Sequence, residues 1–215
     1  MINTGGDQMK KIVNNWYIIS VYLAGFTALA AIFLTDDPTR KVLLASATML
    51  LLHFYEEFGV PGGFPLMGVR IMLGKDEPDK TKWDCNNLNC MFGNWLALFM
   101  IYLLPMILPD VKFLFLSALF LSCAELVMHL ILFNVKQKSF YNPGLITGAF
   151  GLAPIAIYYI VNYFDPSIYV WHNYVLAFVY FAVVFWFCYR SPVYWNLGRK
   201  DGYTLTDQSA YGLMK

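Results

Sequence analysis

Apolar residues run through this chain in six long blocks: Trp16 to Leu34, Val42 to Phe58, Met91 to Leu108, Val111 to Asn134, Leu145 to Phe164 and Tyr169 to Tyr189. Each approaches the roughly 20 apolar residues that a helix needs to cross hydrocarbon, without the polar–apolar alternation of barrel strands. The pattern predicts an all-α fold, a polytopic membrane bundle of six transmembrane helices that forms one domain over residues 1–215. The first block follows Lys10 and Lys11 and contains Ala28-Leu29-Ala30, the pattern of a signal peptide, but it continues through Ile32, Phe33 and Leu34 to a spanning length. A retained first helix is therefore expected.

Between Phe58 and Gly74 the chain is apolar yet broken by Pro61, Gly62, Gly63, Pro65 and Gly68. Such a stretch cannot span, so a re-entrant or interfacial segment is expected after helix 2, placed as a lid over whatever lies at that helix end. Gly74 to Asn89 follows with Asp, Lys, Pro and Asn and no apolar periodicity, which reads as a loop.

Two of the apolar runs contain paired histidine and glutamate, where charge is costly and is tolerated chiefly with a partner or a task. The second ends in His53-Phe54-Tyr55-Glu56-Glu57, and the fourth carries Glu125 and His129. At 100° per residue, His53, Glu56 and Glu57 fall within an arc of about 100°, and Glu125 and His129 within about 40°. Helices 2 and 4 run in the same direction, so both sets lie at one depth. Asn94 near the start of helix 3 and Asn142 before helix 5 reach a similar level. The spacing leaves open whether Glu56 or Glu57 is the inward carboxylate.

Composition agrees with a bilayer: hydrophobic residues make up 59% and charged residues 13%, about half the usual charged share. Net charge is +1, which gives no reason to expect a nucleic-acid partner. Of the 15 Lys and Arg residues, only Arg40, Lys41 and Lys112 fall on one side of the predicted spans. By the positive-inside rule both termini are expected in the cytoplasm, most naturally across a bacterial inner membrane. The four cysteines suit neither a metal nor a disulfide framework and are expected as free thiols. His172 falls in an outer loop beside Trp171, far in depth from the other histidines.

Two imidazoles and nearby carboxylates suit a divalent transition metal, iron or zinc. His53, Glu57, Glu125 and His129 are the expected ligands. Glu56 is assigned as a general base or as an orienter of the ligands, Asn94 as the residue that orients substrate in the reaction, and Asn142 and Arg70 as substrate-binding groups. Arg70 also reads as an ordinary anchor on the positive side.

The pentapeptide His53 to Glu57, followed by Gly59-Val60-Pro61-Gly62-Gly63-Phe64, resembles the signature of the HXXEE family of bacterial membrane proteins. Asn94, His129 and Tyr141-Asn142-Pro143-Gly144-Leu145-Ile146-Thr147 are similar to that family's later motifs, so the resemblance covers about Val42 to Pro154. It implies a shared polar site and no particular reaction. Three functions compete: a metal-dependent membrane enzyme acting on a lipid or other apolar substrate, a proton-coupled or small-solute transporter, and a structural bundle whose polar cluster fixes helix packing.

Overall fold

The computed structural model describes residues 4–214, so Lys215, counted above among the inward positive charges, lies outside the described residues. Helices α1 (Thr4–Asn14), α2 (Trp16–Phe33) and α3 (Pro38–Phe58) are followed by the short α4 (Phe64–Met67). The long helices α5 (Asn87–Ile107), α6 (Lys112–Gln137) and α7 (Leu145–Asn162) come next. Then α8 (Trp171–Arg190), α9 (Pro192–Gly198) and α10 (Asp207–Tyr211) complete the chain, with no strand among the described residues.

Five helical segments are long and apolar enough to cross a membrane: α2, α5, α6, α7 and the continuous stretch Trp171–Gly198. The sequence pattern predicts six. The difference is α3, which has the length but carries Arg40 and Lys41 near its start and His53, Glu56 and Glu57 near its end. Packing explains how it carries them. About half of α3 is buried, from Val42 and Leu43 through Leu50 to Phe58, whereas α8 buries only Ala177, Val184 and Cys188. α3 packs against α2, α5 and α7, so protein surrounds His53, Glu56 and Glu57, while Arg40 at the other end is exposed.

Local chemistry sets the helix limits. Asp37 caps α3 by accepting from the backbone N–H groups of Thr39 and Arg40, with Pro38 in the first turn. Asn86 and Asn89 form a reciprocal capping box at the start of α5. Beyond α3, Phe64–Met67 and a π-helical turn, Gly68–Met72, bury Pro65, Leu66, Met67 and Val69. The segment packs beneath α10, and Gly63 N–H donates to Ser209 O. The two terminal segments also meet at this end, where Asn14 donates to Gly202 O and Asn87 N–H to Tyr203 O.

π-helical stretches interrupt α5 at Phe99–Leu103, α6 at Val127–Phe133 and α7 at Gly148–Leu152. Such stretches recur at functional sites because they re-aim the side chains that follow. Here the stretches of α5 and α6 line one cavity, and that of α7 begins at Gly148 beside the His53 and His129 rings.

Candidate metal centre

α3 supplies His53 and Glu57 four residues apart, and α6 supplies Glu125 and His129 with the same spacing, so each helix directs an imidazole and a carboxylate from one face. The four groups meet. His53 Nε2 lies 3.3 Å from Glu57 Oε1 and 3.7 Å from Glu125 Oε2, and His129 Nε2 lies 3.2 Å from Glu125 Oε2 and 3.7 Å from Glu57 Oε1. The imidazoles stand edge to face, 4.8 Å between centroids. His53, Glu57 and His129 are buried, and Glu125 is partly open to the cavity.

Hydrogen bonding on the far side of each ring decides which nitrogen faces inward. Thr147 Oγ1 lies 2.6 Å from Glu56 Oε2, an acceptor, so the hydroxyl proton points there; the same oxygen then accepts from His53 Nδ1–H at 2.9 Å. Asn142 donates its amide N–H groups to His129 O and Asn134 Oδ1, both at 2.7 Å. Its carbonyl is left to accept from His129 Nδ1–H at 2.6 Å. With Nδ1 donating outward, Nε2 of each imidazole is the nitrogen turned to the carboxylates, and it is a free ligand atom when the ring is neutral. This is the outer-shell pattern that orients metal-ligating histidines.

The floor beneath the rings is made of glycine. At Gly144, where φ is +98°, a Cβ would collide with Cε1 of both imidazoles; at Gly148 it would stand 3.3 Å from His129 and 3.4 Å from His53. Phe133 meets His129 edge to face, 5.0 Å between centroids, and Phe64 lies tilted to it at 6.3 Å.

The distances bear on whether an ion fits. Ligand atoms about 2.1 Å from a common ion, at angles of about 100–120°, stand about 3.2–3.6 Å apart. The four nitrogen–oxygen separations match that spacing closely, and His53, Glu57 and His129 together have ligand atoms within 4.8 Å of one another. This group can hold a metal ion, with Glu125 positioned as a further donor.

The other sequence-predicted residues are placed differently. Glu56 turns away from the cavity and accepts from Tyr141 OH, Ile146 N–H, Thr147 N–H and Thr147 OH, which engages both of its oxygens. Asn142 lies wholly buried behind His129 and does not line the cavity. Asn94 does line it, but donates to Cys90 O and accepts from Tyr189 OH, without touching the histidines or glutamates. Arg70 projects outward and sits 3.7 Å from Asp76. Thr147, Gly144, Gly148 and Tyr141 escape a search for ionisable groups. Their signal was the polar, glycine-containing opening of α7.

That opening and the pentapeptide on α3 thus form one unit, and residues 44–159 match the model described as a protein of unknown function with HXXEE motif. The chain belongs to the HXXEE family. No curated protein and no solved structure matches it. In HXXEE terms, the motif's histidine and second glutamate, His53 and Glu57, face the centre, while its first glutamate, Glu56, fastens the α7 opening that holds His53.

The cavity beside the centre has a volume of about 170 Å³ and is mainly apolar, walled by residues such as Leu50, Phe54, Ile101 and Phe185. Cys85 and Cys90 sit at its edge with their sulfurs 3.4 Å apart, both as free thiols.

Proposed function

We propose that this protein is a metal-dependent membrane enzyme acting on a lipid or other apolar substrate, with a divalent transition metal held by His53, Glu57, Glu125 and His129. The observation that carries the reading is the pair of Nε2 atoms facing two carboxylate oxygens at 3.2–3.7 Å. Two imidazole nitrogens and two carboxylate oxygens gathered around one space suit a cation, and one divalent ion balances the two carboxylate charges. Such an ion supplies Lewis-acid chemistry suited to hydrolysis if it is zinc, or a redox centre suited to oxidation or desaturation if it is iron.

The protein's own groups do the rest. Thr147 and Asn142 hold the imidazoles, Glu56 anchors Thr147, and the apolar walls admit a hydrocarbon while excluding bulk water. In this reading α3 crosses as a sixth span inside a sleeve of the other helices, and Phe64–Met72 is a re-entrant segment beside the centre. Both termini face the cytoplasm of a bacterial inner membrane. A proton or solute carrier receives less support, because buried positions in the half of the bundle away from the centre are predominantly apolar, among them Leu43, Ala47, Phe115 and Leu119.

Elemental analysis of the detergent-purified protein, beside a His53→Ala, His129→Ala double variant of matched dispersity, tests the proposal. Near-stoichiometric iron or zinc in the parent and its loss in the variant are expected. Absence of metal from both would overturn the reading.

A further inference from the structure

The cavity wall carries one cation, Arg190, the last residue of α8. Its guanidinium is partly buried and reaches only two carbonyl oxygens, Tyr189 O and Met72 O, both at 3.5 Å, with no carboxylate within ion-pair distance among the described residues. Arg199, by comparison, is paired with Asp84 at 2.9 Å, and Arg70 lies near Asp76. A guanidinium has five donors in a planar fork suited to carboxylate or phosphate, and two long contacts leave that capacity largely unused.

We propose that the cavity binds an amphiphile with an anionic head, carboxylate or phosphate, whose head is clamped by Arg190 while its hydrocarbon lies along the apolar wall toward His53 and His129. The cavity wall gives the tail apolar side chains to lie against. α8 packs along Lys112–Leu126 of α6, and beyond that stretch Met128 of α6 and Phe181 and Phe185 of α8 border the cavity. Arg190 ends its helix, whereas His53 lies five residues before the end of α3, roughly 8 Å along the axis. A head at the helix ends thus leaves the first carbons of the tail level with the histidines. This names the substrate class of the proposed enzyme and rests on that reading only for the tail's meeting with the metal; the clamp itself needs no metal.

The test is equilibrium binding, by native mass spectrometry or intrinsic tryptophan fluorescence, of oleate, of oleoyl lysophosphatidate and of neutral oleyl alcohol, with metal content measured on the same samples. Wild type is expected to bind at least one anionic ligand about tenfold or more tightly than the alcohol. The stronger of the two identifies the head as carboxylate or phosphate. Arg190→Gln is expected to abolish that preference with metal content unchanged, Arg190→Lys to retain part of it, and Arg70→Gln to leave it intact. Equal binding of the alcohol and both anions by wild type would overturn the proposal, as would an undiminished preference in Arg190→Gln. Loss of the metal reading would show instead as metal-free wild type that still prefers the anion.

Discussion

Thr147→Val removes a single hydroxyl and keeps the shape of the side chain, so it isolates the role of the link between His53 and Glu56. In the parent that oxygen accepts from His53 Nδ1–H at 2.9 Å and donates to Glu56 at 2.6 Å, the latter a length typical of a charge-assisted bond. The substitution leaves His53 Nδ1–H buried and unpaired, a loss of about 1–3 kcal/mol, unless the ring moves its proton to Nε2. Either outcome opposes ligation, the first by loosening the ring and the second by capping the ligand atom. Since about 1.4 kcal/mol is tenfold, metal affinity should fall about 10- to 100-fold, within the range for removing such a partner. The assay is competition with a calibrated chelator in detergent, alongside Thr147→Ser, which restores the hydroxyl and should recover most of the affinity. Unchanged affinity in a well-folded Thr147→Val protein would refute the argument that this hydroxyl orients His53.

Glu56→Gln should lower thermal stability by about 1–3 kcal/mol, because an amide N–H₂ would confront groups that all donate to the carboxylate. A general base would instead lose activity at unchanged stability, and a thermal-unfolding series separates the two. Gly148→Ala puts a methyl 3.3–3.4 Å from both imidazoles and should reduce metal occupancy in a folded protein, whereas Gly144→Ala, at φ +98° and in collision with both rings, should reduce the yield of folded protein. Fluorescence-detected size exclusion with metal analysis distinguishes these effects. The hydrogen bond from Arg199 holds the Asp84 carboxyl below its usual range, so their contribution to tail docking is full above that range and is lost as the pH falls through the lowered value. Arg199→Gln should flatten that acid-side dependence in limited proteolysis of the tail, and an unchanged profile would place the dependence elsewhere.

The helical bundle and the meeting of α3 with α6 were legible in the sequence because ionisable residues in apolar runs are conspicuous and helix direction sets their depth. Placing His53 with Glu57 and Glu125 with His129 required only a four-residue spacing. Choosing between Glu56 and Glu57 did not follow, since both lie on the same broad face and the choice depends on what α7 presents. Thr147 and the two glycines act through contacts across roughly ninety residues of sequence, and a missing side chain leaves no chemical signal. Arg70 and Arg190 show the same limit. Each lies near a polar segment, yet packing at the ends of α4 and α8 turns one outward and sets the other in the cavity wall.

The enclosure of α3 also bears on how the protein is made. Synthesis delivers α3 directly after α2, while α5 and α7, which cover much of its polar side, arrive later. A helix with two glutamates and a histidine near its end partitions poorly into lipid alone, at about 2.5–3.5 kcal/mol for each charge placed at the bilayer centre. α2, by contrast, is uncharged over its whole length and packs extensively on α3 across a short turn. In the proposed six-span arrangement the nascent chain therefore has reason to enter as a hairpin, with α3 held beside α2 and its carboxylates left at the water boundary until the later helices close around them.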